Sequence, residues 1–316
     1  NSKPRTSLRK SLKRYCLMAE RSAFYKARQK YVSHPLQGLG AYLLFGFFKV
    51  MPIDLASAIG GRLLRAIGPK LGQSKKARNN LVKAFPEKSA EEIEAIITDM
   101  WENLGRSAAE IPHLPTLDCG SPRLEIVGLE NGMATREDNK PGLFFTGHMG
   151  NWEVSTKIGD ALDMEMMTIY RAPDNPWVDK LFKSVRKGFR GELVPKGAKG
   201  ARKFAAFLKK GGHAALLVDQ KLNNGIAVPF FGRDAMTAPA LAQFALKYDD
   251  PVIPVRVERL SGANFRMTFY PALTIIPTED READVLRIMT EVNAIMEGWI
   301  RERPAQWLWL HKRWPN

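Results

Sequence analysis

From about residue 123 onward the chain keeps placing a short, strand-like and largely apolar run before a segment with helical spacing, and this alternation constrains the fold more than any other feature. The runs are GLFFT, MEMMTIY, HAALLV and VIPVRVERL, and the helical segments include residues 175 to 188 and 198 to 210. Strands without polar alternation belong in a sheet covered on both faces. The pattern therefore predicts a mixed α/β fold, its largely buried sheet flanked by helices.

The part before residue 123 is helical in character. Residues 88 to 111 open on Ser89-Ala90-Glu91-Glu92, a capping-box pattern, and continue through Ile93, Ile96, Ile97, Met100, Trp101 and Leu104 as an amphipathic helix that Pro112 and Pro115 end. Upstream, PLQGLGAYLLFGFFKVMPI (35 to 53) has an uncharged stretch that stops at Lys49, short of the roughly 20 apolar residues that span a bilayer. The next stretch spaces Leu55, Ile59, Leu63, Leu64 and Ile67 helically, with Arg62, Arg65 and Lys70 between them, as a basic amphipathic helix would. Residues 1–70 are expected to be a basic, membrane-associated helical region that lies in the interface, with a buried hairpin of core helices as the alternative, and residues 71–316 the main domain.

Charge fits that division. The chain carries 48 Lys+Arg against 33 Asp+Glu, a formal net charge of +15, so an anionic partner is expected. Much of the excess falls in residues 1 to 30, which hold ten basic side chains and one acid, Glu20, directly before the apolar segment. That order suits a polybasic anchor on an anionic membrane. Secretion is disfavoured, because the basic region is too long and no small-residue cleavage pattern follows. Cys16 and Cys119 lack C-x-x-C spacing, and the five histidines lack H-x-x-x-H clustering, so no metal and no disulfide framework are expected.

The chemistry centres on GHMGNWEV, residues 147 to 154. On one helix His148 and Glu153 would point about 140° apart, since each residue turns the helix by about 100°. They come together only if Leu143 to Thr146 is a strand, Gly147 and Gly150 permit a tight turn, and Asn151 caps a helix from Trp152. His148 then lies at the C-terminal edge of the sheet, where open α/β sheets place their ligands. A carboxylate that fixes its tautomer would make it a general base for an attacking hydroxyl. The residues alone equally admit a structural histidine beside a helix-start acid.

The segment resembles the H-x4-[DE] signature of membrane-associated lipid acyltransferases. With ARNNLVKAFPEKS (77 to 89), FFTGHMGNWE (144 to 153), YRAPDNPWVDKLFKSVR (170 to 186), LLVDQK (216 to 221), VPFFG (228 to 232) and QWLWLHKRW (306 to 314), the chain resembles the late, or secondary, acyltransferases of lipid A biosynthesis from about residue 40 onward. The resemblance implies an αβα sandwich, and transfer of a fatty acyl chain from acyl carrier protein to a hydroxyl on the Kdo-bearing lipid A precursor. The setting it implies is the cytoplasmic face of the inner membrane, with no cofactor. It makes His148 the general base and Glu153 its partner. Arg171, Asn151, Asp179, Arg186, Asp219 and Gln220 become candidate contacts to substrate, with Arg171 facing a phosphate or the thioester oxygen. Lys221 stands where the family often has an acid. Phe230 and Phe231 read either as channel lining or as core, and QWLWLHKRW as a strand or an interfacial tryptophan cluster, with His311 structural.

Three other functions are weighed. A nucleic-acid-binding protein fits the charge, but the basic start leads straight into an apolar segment rather than a base-stacking surface. A non-catalytic membrane scaffold would make GHMGNWE accidental. A glycerophospholipid acyltransferase shares the histidine signature, but normally carries aspartate where this chain has Glu153.

Overall fold

A computed structural model describes residues 25, 27–137, 140–170, 172–187 and 189–314. The basic segment 1 to 24 and Arg171, a candidate contact, lie outside the described residues. Among the described residues four α-helices come first: α1 (His34–Lys49), α2 (Ile53–Ile67), α3 (Ser74–Ala84) and α4 (Ala90–Glu110). Strands and helices then alternate as β1 (Leu124–Val127), α5 (Leu129–Glu137), β2 (Leu143–Thr146), α6 (Ile158–Leu162), β3 (Met166–Tyr170), α7 (Pro176–Val185), β4 (Gly191–Pro195), α8 (Ala198–Leu208) and β5 (His213–Leu217). A hairpin, β6 (Ile226–Phe230) and β7 (Arg233–Thr237), precedes α9 (Ala240–Tyr248), β8 (Val252–Ser261), β9 (Asn264–Phe269) and α10 (Arg281–Glu302).

Seven strands form one sheet in the order β1-β9-β8-β2-β5-β3-β4. All neighbours pair in parallel except β8 and β9, whose antiparallel pairing turns β9 and β1 against the other five. The period-2 side-chain geometry of a strand feeds two layers from the same residues. Leu143 and Phe145 of β2 enter one core with Ala214, Leu216 and Met167, beneath α8, α9 and α10. Phe144 enters the other with Ala215, Met166 and Ile253, beneath α6 and the segment after β2. All four residues of β2 are buried, as expected of a run without polar alternation. Each buried phenylalanine there contributes roughly 1.5–3 kcal/mol of transfer free energy.

The capping box of α4 forms as its sequence predicts: Glu92 N–H donates to Ser89 Oγ at 3.2 Å, and Ser89 N–H donates to Glu92 Oε2 at 2.8 Å. The α2 segment behaves differently from a soluble amphipathic helix. Its buried face is the small one, Ala56, Ser57, Gly60 and Gly61, while Leu55, Leu63 and Ile67 are exposed. The reason is the crossing with α4: a Cβ on Gly60 would stand 2.5 Å from the Gly105 carbonyl oxygen, and one on Gly105 would stand closer still to that of Gly60. Backbones this close leave no room for leucines between them. Helix α1 likewise exposes Leu36, Leu39, Leu43, Leu44 and Phe47. Among the described residues no helix is long and apolar enough to cross a membrane.

The C-terminal QWLWLHKRW forms neither a strand nor an exposed tryptophan belt. It makes one isolated bridge, Trp307 to Met149, and Trp307, Trp309 and Trp314 are buried. An indole can be buried when its N–H has a partner. Here Trp307 donates to Asp219, Trp309 to the Pro304 carbonyl at 2.7 Å and Trp314 to the Phe230 carbonyl at 3.0 Å. Phe230 and Phe231 belong to this core, with the Phe230 ring stacked on Trp314.

Candidate active site

Sheet register assembles the site. Strands β2 and β5 are parallel neighbours with Thr146 opposite Leu217, and Val218 N–H extends the ladder to the Thr146 carbonyl at 3.1 Å. Two residues beyond that pair the chains carry His148 and Asp219, so both emerge together at the C-terminal edge. His148 Nδ1 lies 2.7 Å from Asp219 Oδ1, and His148 N–H donates to Asp219 Oδ2 at the same distance. Trp307 Nε1–H donates to that Oδ2 as well, at 2.7 Å. A carboxylate only accepts, so Nδ1 carries the proton and Nε2 keeps its lone pair. Gln220 Nε2 stands 3.1 Å from that free nitrogen.

Burial works against a charged imidazole here. The Asp219 charge and hydrogen bond, with a smaller effect from Glu153, outweigh it and hold the His148 pKa above its ordinary value. Burial also opposes the Asp219 carboxylate, and His148 more than compensates, keeping that acid well below the usual carboxylate range. His311, whose Nε2 lies 3.3 Å from the Asp219 carbonyl oxygen, is pushed down by burial and stays neutral near pH 7.

Glu153 does not make the histidine's hydrogen bond. It lies in a 3-10 turn, Trp152–Lys157, and its Oε2 accepts from Arg186 Nε at 3.1 Å and from Arg186 Nη2, with both side chains largely buried. The expected His148–Glu153 partnership is thus corrected. The histidine's carboxylate comes from the neighbouring strand, which a turn of a few residues cannot rival for alignment, and Glu153 sits beside the pair as the end of a second ion pair.

The remaining expected contacts fall in three groups. Asn151 and Asp219, both expected to touch substrate, are buried and spend their hydrogen-bonding groups inside the protein, so they hold the site from beneath. Arg186 and Gln220 lie at the site. Asp179 accepts from Tyr170 Oη at 3.3 Å and from Lys183 at 2.6 Å on α7, away from the histidine's partners, and Asn175 caps α7 while donating to the His34 carbonyl of α1 at 2.9 Å. A pocket lined by Ile158, Met166, Thr168, Phe189 and Arg186 opens against the guanidinium that holds Glu153.

Gly150 turns the chain between His148 and Glu153 at φ +55°, a left-handed conformation that favours glycine, and a Cβ there would stand 3.1 Å from the β8 backbone. Sequence reasoning missed what grips this turn. Asn103 Nδ2–H donates to the Gly150 carbonyl at 2.8 Å, and Gly150 N–H donates to the Gln306 carbonyl at 3.0 Å. The available signal was a set of isolated polar residues, Asn103, Ser107 and Glu110, spaced three to four apart on an otherwise apolar helix face.

The matching family is bacterial lipid A biosynthesis acyltransferase, whose model covers residues 25–316. The lipid A biosynthesis myristoyltransferase of Escherichia coli is 26% identical over 269 residues, covering 83% of this chain and 81% of that protein. A lipid A biosynthesis acyltransferase of Haemophilus influenzae is 24% identical over 86% of this chain and 85% of its own length. The Escherichia coli palmitoleoyltransferase of lipid A biosynthesis is 24% identical over 83% and 86%. Among solved structures, the 1-acyl-sn-glycerophosphate acyltransferase PlsC of Thermotoga maritima aligns with a TM-score of 0.37 and 13% identity over 87% of this chain and 99% of that one, too slight a likeness to bear on the assignment. A mixed sheet flanked by helices, with a carboxylate-held histidine at its C-terminal edge, is in this chain the frame of an acyltransferase. The chain belongs to the bacterial lipid A biosynthesis acyltransferase family.

Proposed function

We propose that the protein transfers a fatty acyl chain from acyl carrier protein to a hydroxyl of the Kdo-bearing lipid A precursor, at the cytoplasmic face of the inner membrane. The observation that carries this reading is the His148 Nε2 lone pair, which the 2.7 Å Nδ1–Asp219 bond leaves without a proton and which the Gln220 amide meets at 3.1 Å. Nε2 takes the proton of the acceptor hydroxyl as its oxygen attacks the thioester carbonyl carbon. A carbon–oxygen bond forms and the carbon–sulfur bond breaks. The thiolate of the carrier leaves and recovers the proton from Nε2, so the histidine ends neutral. Asp219 stabilises the imidazolium between the two transfers. No nucleophilic side chain is required, because the acceptor itself attacks.

In this reading the acceptor hydroxyl takes the place of the Gln220 amide, whose nitrogen stands 3.1 Å from Nε2. The membrane setting is supported by the exposed apolar faces of α1 and α2 and by the net charge of +15, which match an anionic lipid surface and an acidic carrier protein.

The test is to incubate the protein with carrier-bound acyl chains of different length and the Kdo-bearing precursor, and to weigh the lipid products. A mass gain of one acyl chain establishes the reaction and its chain length. Folded protein that adds no mass with any donor defeats this acceptor assignment.

A further inference from the structure

Glu110, at the C-terminus of α4, is fully buried and shares its two oxygens among four donors. Oε1 accepts from Ser57 Oγ of α2 at 2.6 Å and from Arg259 Nη1 of β8. Oε2 accepts from Arg259 Nη2 and from Asn151 Nδ2, each at 2.9 Å. Arg259 is fixed in turn by Asn103 Oδ1 at 2.8 Å, Ser107 Oγ at 3.1 Å and the Gly262 carbonyl at 2.7 Å. Such a buried pair, satisfied on every side, is specific in geometry and costly to disturb.

We propose that Glu110 is a positioning residue that sets the orientation of the Asn151 carboxamide and, through it, the place of Glu153 beside His148. The inference rests on the acyltransferase reading for its kinetic consequences. The chemistry is one of direction. A carboxylate paired with Arg259 has no proton to give, so only the amide end of Asn151 can face it. The carbonyl end must then face the other way, and there it accepts the Glu153 backbone N–H at 3.2 Å, capping the turn that carries Glu153 toward Arg186. Reversing the carboxamide would set oxygen against oxygen at Glu110 and nitrogen against nitrogen at Glu153. The acid therefore selects one of two orientations that a neutral residue of the same shape would leave open.

Two single substitutions and their combination test this. E110Q supplies an amide where only acceptors stood, and Asn151 turns its oxygen toward it, leaving the Glu153 N–H uncapped. N151D sets a second carboxylate against Glu110. The double variant restores complementarity between positions 110 and 151: the new glutamine amide donates to one oxygen of the new aspartate, whose other oxygen caps Glu153, and Arg259 Nη2, which loses its acceptor at position 110, keeps one carboxylate nearby. Each single variant is expected to lose about tenfold or more in kcat with KM for the acyl carrier little changed, and the double variant to recover to within about threefold of wild type. Hydrogen exchange is the second readout: peptides spanning residues 147 to 157 exchange faster in each single variant and as in wild type in the double, while the rest of the sheet is unaltered.

Wild-type kcat and exchange in E110Q, or a double variant as impaired as the worse single one, would overturn the proposal. So would a loss of protection spread evenly over the fold. Should E110Q not fold, N151D decides alone: it keeps Glu110 and Arg259 and sets a second carboxylate against Glu110, which pushes residue 151 and the Glu153 N–H that it caps out of place; unchanged exchange in the turn then refutes the inference. A wild-type protein that transfers no acyl group would remove the acyltransferase reading, and the exchange arm would still decide the role of Glu110.

Discussion

Asp219 holds His148 by two bonds at once, one oxygen 2.7 Å from the ring nitrogen and the other 2.7 Å from the backbone nitrogen of the same residue. Side chain and main chain of the histidine are thus referred to a single rigid group, which lies 2% exposed at the end of the adjacent strand. A base so held keeps one tautomer and one direction for its lone pair.

D219N should therefore lower turnover by on the order of 10²–10⁴, since the amide no longer enforces the Nδ1–H tautomer. The pH profile distinguishes this from misfolding. A general base works when neutral, so wild-type activity rises with pH through the His148 pKa, which lies above its ordinary value because of Asp219. In D219N the half-rise shifts to lower pH; a half-rise at the wild-type position would show that Asp219 does not act on His148.

The same pair predicts a pH-dependent stability. The folded pKa of His148 is raised, so its contribution is complete below the unfolded value of about 6.5 and fades as pH rises through the folded value. The folded pKa of Asp219 is lowered, so its contribution is present above about 3.9. The stability gap between wild type and D219N should be widest between about pH 4 and 6.5 and narrow toward alkaline pH. Urea titrations across that range would contradict this if the gap widened as pH rose.

R186K keeps a positive charge but loses the forked contact of Nε and Nη2 with Glu153. Turnover should fall roughly tenfold or more with little change in melting temperature, because the ammonium still neutralises Glu153 while no longer fixing its direction. A large melting shift with unchanged turnover per folded molecule would mark the pair as structural instead.

G105A should cost about 1–3 kcal/mol, because its methyl group would meet the Gly60 carbonyl and drive α2 away from α4. Thermal unfolding reads this directly. The reciprocal G60A should behave alike, as each methyl group is directed at the other helix's backbone.

Replacing Leu43 and Phe47 on the outer face of α1 with glutamate should leave folding intact, since both are exposed, and reduce sedimentation with anionic vesicles by about tenfold or more. Wild-type sedimentation of the double variant would remove α1 from the membrane surface.

Strands β2, β3, β5 and β8 were legible as largely apolar runs, while β1 and β4, half-exposed, and β9, whose burial alternates, were not; α4 was legible because Ser89 and Glu92 announce its start. His148 was legible from the glycines that turn the chain around it. Asp219 was legible as a candidate site residue but not as the histidine's carboxylate, because it lies 71 residues away and only the pairing of β2 with β5 brings it near. Strand order is set by packing and crossover, and local periodicity is blind to both. Helix α2 keeps outside the core the leucine face that its spacing outlines; what the spacing did not reveal is that Gly60 lets the opposite face pack backbone to backbone on α4.

The segment from Pro304 to Trp314 follows every strand of the sheet in sequence, yet Trp307 clasps the oxygen of Asp219 that also holds His148, and Gln306 binds the turn at Gly150. A chain still emerging from the ribosome thus carries the histidine and Asp219 without the indole that fixes the acid. The Asp219 oxygen that holds the histidine's backbone therefore gains its indole partner only once the whole sheet has been translated.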